Sequence, residues 1–226
     1  MFRQRCKGLT ELGEYFDRCD QATLGVEAGV LGEDRHDVFD RPARPLYLFG
    51  GGGVVGVHFH ALVERFEQDN TFVESDLEET RSEWRRARSN TEASVDRVGA
   101  EPGITPERLN CLTSILSSSH ALVHAMMALE AGAVETHATG LPPQFQDFAH
   151  DVEFTLYFLA AALRGSPAAS ETLPKLRDDH TRLVQARESF PAAYEFVLIE
   201  TDRLTTALNM LREQVTRYVK LDTELK

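Results

Sequence analysis

The sequence predicts an all-α protein, an elongated antiparallel helical bundle with long coiled-coil-like helices. Three observations point there. Apolar residues recur at steps of three and four through most of the chain, proline- and glycine-marked turns separate the periodic stretches, and nothing reads convincingly as a strand. The clearest turn is Glu101-Pro102-Gly103-Ile104-Thr105-Pro106-Glu107. Pro102 and Gly103 break one helix; Thr105 can then accept a backbone hydrogen bond as N-cap, and Pro106 brings a preset φ to the first helical position. The stretch from Ser89 to Ala131 therefore reads as the end of one long helix, a turn, and most of the helix that folds back.

Taken in order, Phe2 to Leu31 can form a first helix through Leu9, Leu12, Phe16, Cys19, Leu24 and Val30, weakened by Gly8, Gly13, Gly25 and Gly29. Gly32 to Pro45 shifts to Asp, Arg and Pro and reads as a loop. The short apolar run Leu46-Tyr47-Leu48-Phe49 then meets Gly50-Gly51-Gly52-Gly53, four residues that favour neither helix nor strand. These features divide the chain into an N-terminal helical segment (1–49), a glycine-rich linker (50–56) and a helical bundle domain (57–226). A phosphate-binding role for the glycines would need a strand before them and a helix with Lys after; Val54-Val55-Gly56-Val57 follows instead.

One helix is expected from about Val57 to Val98, with a seam at Val73, Leu77, Thr80, Trp84, Ala87, Thr91, Val95 and Val98 and charged residues on its flanks. Its seam is the expected oligomer interface. After the turn, Leu109, Leu112, Ile115, Leu116, Ser119, Leu122, Val123, Met126, Leu129 and Ala133 continue the spacing to about Thr136, so the two arms can pack antiparallel. Phe145, Phe148, Val152, Leu156, Leu159 and Leu163 define a helix from about Gln144 to Arg164, and Leu176, Leu183 and Val184 another from about Thr172 to Ser189. Beyond Pro191, Tyr194, Val197, Thr201, Leu204, Leu208, Leu211, Val215 and Tyr218 hold heptad spacing.

Composition narrows the function. With 226 residues, 42% of them hydrophobic, the chain can bury a sizeable core. A formal charge of −12 and a pI near 5.1 work against binding nucleic acid or anionic lipid by charge. Cys6, Cys19 and Cys111 have no metal-type spacing and suggest a reducing compartment; no secretory signal pattern opens the chain. No run approaches the ~18–20 apolar residues of a membrane span, so a soluble chain is expected.

Several groups resemble chemistry and read better as structure. His120 and His124 stand four apart, as two zinc ligands would, but Ala121 occupies the place of the zinc-protease glutamate. His58 and His60 would point to different helix faces and read as incidental. Asp147, His150 and Asp151, like Asp178, Asp179 and His180, put carboxylates near an imidazole without a nucleophile. His180 falls on the apolar seam and is the histidine expected to be most buried and shifted in pKa. Met126-Met127 and the phenylalanines from Phe145 to Phe158 could line a ligand groove, or simply be core. In Glu200-Thr201-Asp202-Arg203, Thr201 is expected on the seam, with Asp202 and Arg203 outside it. No catalytic, cofactor-binding or metal residue is assigned.

Two internal segments and the last helix carry a family resemblance. Arg88-Ser89-Asn90-Thr91-Glu92-Ala93-Ser94-Val95-Asp96-Arg97 with its following turn and His120-Ala121-Leu122-Val123-His124-Ala125-Met126-Met127-Ala128-Leu129-Glu130-Ala131 resemble the soluble helical region of the fusaric acid resistance (FUSC) and aromatic acid exporter-like membrane proteins; Glu200 to Leu211 is similar to that family's C-terminal end. The likeness covers about Ser75 to Val219. It implies a non-enzymatic helical domain on the cytoplasmic side of the inner membrane, acting in assembly or gating of an efflux-type transporter. Its implied partners are the transmembrane part of the parent transporter and sister subunits in a homo-oligomer, with an aromatic acid as candidate ligand. Gly50 to Gly53 would then join two soluble segments where membrane sequence lies in the family. The competing expectation is a free-standing soluble adaptor or small-molecule sensing bundle; a metal-dependent enzyme using His120 and His124 is the third.

Overall fold

Gly103 turns the chain with φ at +103°, a conformation that residues with a Cβ rarely adopt. Two residues on, Thr105 caps the next helix: its Oγ1 accepts from the Arg108 N–H at 3.3 Å and its carbonyl from the Leu109 N–H at 3.1 Å. Pro106 opens that helix, where its missing N–H costs no hydrogen bond. In the computed structural model, the described residues are 54–67, 74–136, 141–163 and 173–224. All belong to the second of two compact units, Ala43–Lys226. The expected helix from Phe2 to Leu31, the run Leu46 to Phe49, Gly50 to Gly53, Cys6, Cys19 and Val73 lie outside them.

Among the described residues there are six α-helices and no strand: α1 (Val54–Glu67), α2 (Glu74–Gly99), α3 (Pro106–Thr136), α4 (Pro143–Leu163), α5 (Leu176–Gln185) and α6 (Glu195–Glu224). Two single 3-10 turns, Arg187–Ser189 and Ala192–Tyr194, lead into α6. The turn before Pro106 and the end of α3 at Thr136 fall where the punctuation put them, whereas α1 begins at Val54, inside the stretch 50–56 read as linker. The fifth helix is shorter than expected, because the chain leaves α-helical geometry after Gln185 and reaches Pro191 through the first 3-10 turn.

The single helix expected from Val57 to Val98 is two helices. At about 1.5 Å per residue, His58 and Thr80 on one helix would stand roughly 33 Å apart, yet His58 Nδ1 and Thr80 Oγ1 share a 2.8 Å hydrogen bond. Helix α1 therefore lies against α2. The sequence between them carries Asp69-Asn70, residues that favour turns.

Helix α3 is the centre of the packing. Cys111, Ile115, Leu122, Met126, Leu129 and Ala133 form one buried stripe, and Leu112, Ser119, Val123 and Glu130 another beside it, too wide a buried surface for one neighbour. One side meets α2, antiparallel, through Arg81 with Glu130 and Glu92 with His120. Another meets α6, also antiparallel and over the most extensive pairing in the unit. There Arg108 Nη2 donates to Asp222 at 2.7 Å and to Tyr218 at 3.2 Å, and Arg217 reaches Glu107 at 2.6 Å. Of the expected α6 heptad, Val197, Thr201, Leu204, Leu208, Leu211, Val215 and Tyr218 are buried, whereas Tyr194 is half-buried in the 3-10 turn ahead of the helix. Helix α4 runs antiparallel to α1, with Phe66 edge-on to Phe145 at 5.3 Å and His60 Nδ1 2.9 Å from Glu153 Oε1, and α5 packs on α4 and α6.

Two further expectations change. The α2 seam is occupied within the chain, since Trp84, Thr91, Val95 and Val98 are buried by its own helices. And α3 is long and apolar enough, by length and composition, to cross a membrane: an 18-residue window within Pro106–Glu135 has mean hydropathy 1.3, where no such run was expected. Half of that window is buried in the bundle, and its small and apolar residues serve contacts on several sides at once.

Candidate functional site

The strongest concentration of buried polar chemistry joins α1, α2 and α3. His58 and Glu130 are each only 3% exposed. Glu130 accepts twice from Arg81: from Nε at 3.3 Å and from Nη2 in a shorter contact. Arg81 also donates to Glu78 at 2.7 Å, and this carboxylate company holds its guanidinium above its ordinary pKa, with the Glu130 hydrogen bond as the largest cause. His58 turns Nδ1 to Thr80 and places Nε2 3.7 Å from Glu130 Oε2. His58 Nδ1 and the Thr80 hydroxyl are hydrogen-bond partners, with the donor set by the ring tautomer. Burial pushes the His58 pKa below 6.5; Glu130 opposes that shift and Arg81 adds to it.

Hydroxyl, imidazole and carboxylate stand here in the order of a nucleophilic triad. The geometry argues for a different use. At 3.7 Å the carboxylate is beyond hydrogen-bond reach of the ring, and both its oxygens are engaged by Arg81. His58 is enclosed by three helices, and its neutral form is the favoured one. The cluster ties the helices together: the Arg81 and Glu130 charges cancel, and the ring is held through Nδ1 by Thr80.

His58 is thus neither incidental nor a surface residue, and it is more buried than His180. The other member of that pair behaves as helical geometry requires, for His60 lies on the outer face against Glu153 and Glu64. His120 and His124 do not converge on a third ligand. His120 Nε2 lies 3.2 Å from Glu92 Oε1, which itself accepts from Arg88, while His124 is exposed. Burial, then the nearby Arg88 charge, lowers the His120 pKa. Among the described residues no three His, Cys, Asp or Glu side chains are grouped to hold a metal ion.

One carboxylate from each acidic group flagged in the sequence meets its counterpart, while Asp147, His150 and Asp178 are exposed. Asp151 of α4 and Asp179 of α5 face each other, and burial followed by the Asp151 charge raises the Asp179 carboxyl to about 6. His180 is buried as expected; its Nε2 is 3.1 Å from the Leu198 carbonyl of α6. Thr201 is fully buried while Asp202 and Arg203 reach outward, also as expected, but Glu200 is buried and held by Arg203 at 2.8 Å. Of the Phe and Met positions, Met126, Phe145 and Phe148 are core, whereas Met127 is exposed and Phe154 and Phe158 are half-buried. An open groove of about 350 Å³ lies instead along α6 beside the end of α5, lined by Val184, Leu198 and Ile199 with Arg187 and Arg203 among its charged residues.

No family model, curated protein or solved structure matches the chain.

Proposed function

We propose that this chain is a non-enzymatic helical domain of an aromatic-acid or fusaric-acid efflux-type membrane transporter, an elongated antiparallel bundle acting in assembly or gating on the cytoplasmic side of the inner membrane. Its partners are the transmembrane part of the parent transporter and further copies of itself. The observation that supports a packing role is the buried tie of His58, Glu130 and Arg81, in which ionisable groups are engaged with one another between three helices. The transporter part rests on the resemblance, whose segments fall on α2, α3 and α6. These helices are mutual neighbours through α3, so the resembling residues form one connected region.

In-cell crosslinking of the tagged chain in its native host, followed by membrane fractionation, tests this. Recovery with an inner-membrane protein, or as part of a longer membrane-spanning polypeptide, is expected; recovery only as a soluble species with no membrane protein attached would contradict it.

The groove along α6 favours a second reading, a soluble sensing bundle. Val184, Leu198 and Ile199 offer an apolar floor, and an aromatic carboxylate would take over Arg187 and Arg203 from their present partners Glu195 and Glu200. Under this reading an aromatic acid raises the melting temperature of the isolated chain and Arg203→Ala removes the effect.

A further inference from the structure

Helices α4 and α5 meet with two carboxylates between them. Phe148 sits edge-on to His180 with ring centroids 6.4 Å apart, which sets the register; Asp151 is one turn beyond Phe148, and Asp179 immediately precedes His180. Asp179 is 5% exposed. Its Oδ1 takes Nη2 of Arg182, but its Oδ2 is buried with no donor in reach. A buried anionic oxygen without a donor is unfavourable, and a second carboxylate beside it compounds the cost. Both penalties are relieved by a single proton, which turns one carboxyl into the donor that the other requires.

The charged surroundings leave this remedy available. From α4 the facing group is Asp151, and on α5 itself Arg182 attracts the Asp179 charge while Asp178 repels it. On α6, Asp202 is engaged by Arg177 and lies 3.8 Å from His180 Nδ1. Arg182 opposes protonation, and its side chain is 57% exposed, so solvent screens much of its pull.

We propose that Asp151 and Asp179 share one proton and form an acid-stabilised clamp that fastens α5 to α4 and loosens when that proton leaves. The direction follows from linkage. The folded chain holds the proton up to about pH 6, whereas an unfolded chain releases it near 3.8, so the clamp is strongest in acid and its contribution is lost as pH rises through 6. Loosening would release the end of α5 that carries Leu183 and borders the groove.

Carboxyl-carbon NMR titration of the full chain, with hydrogen exchange of the 176–185 amides, tests the clamp. The expected Asp179 midpoint lies near 6, falling by about one unit or more in Asp151→Asn. After correction for intrinsic rates, α5 should exchange faster at neutral pH than in mild acid. Asp179→Asn, whose carboxamide donates at every pH, should show equal α5 protection under both conditions; it supplies the test should Asp151→Asn fail to fold. A wild-type midpoint near 4, a midpoint indifferent to Asp151→Asn, or α5 protection independent of pH in the wild type would overturn the proposal.

Discussion

Around Glu130 the chain buries a carboxylate with a guanidinium against it; around Asp179 it buries a carboxylate with a second carboxylate against it. Both clusters sit between helices, and both contain or adjoin a histidine. They differ in how charge is neutralised. The first is balanced by side chains already present, and burial keeps His58 neutral. The second needs a proton from solvent. A buried ionic contact is thus pH-dependent in a direction set by its composition: acid works against the His58 cluster and in favour of the Asp179 cluster.

Removing the balancing anion should have the largest effect. Glu130→Ala leaves Arg81 without its buried partner and His58 without the carboxylate, and a loss of about 3–5 kcal/mol is expected by urea denaturation. A loss below about 1 kcal/mol would mean that the three-helix tie does not hold the bundle. Gly132, two residues along α3, separates the polar effect from simple crowding. A Cβ there would stand 2.6 and 2.8 Å from Cε2 and Cγ of Phe196 on α6. Gly132→Ala should therefore cost about 1–3 kcal/mol despite its better helix propensity, equally at acidic and neutral pH. Stabilisation instead would show that the Phe196 ring swings aside.

Much of the helical architecture was legible because it rests on periodicity and punctuation. Pro102, Gly103, Thr105 and Pro106 mark the turn by local chemistry, and the apolar positions of α4 and α6 mark faces that are in fact buried. The break between α1 and α2 was missed because no proline or glycine stands between residues 68 and 73, and Asp69-Asn70 alone is a weak turn signal. The His58 cluster was missed for a different reason. Its members are at positions 58, 81 and 130, and no local spacing shows that a break will fold His58 back onto α2. The nearest signal was Glu130 itself, the one acidic residue in a long apolar stretch of α3, which has to find a partner where it is buried. Asp151 and Asp179 were each noted within their own helices; their meeting depends on how α4 packs on α5.

The opposite acid responses of the two clusters give the smallest expected effect and the most direct test. Below pH 6.5 an unfolded chain protonates His58 before the folded one does, so that contribution to stability is lost as pH falls. Below about pH 6 the folded chain protonates the Asp179 pair first, so that contribution grows as pH falls. Thermal denaturation of wild type, His58→Gln and Asp179→Asn at mildly acidic and neutral pH measures both at once. Relative to wild type, His58→Gln should gain stability on acidification and Asp179→Asn should lose it; parallel shifts in all three proteins would contradict the account.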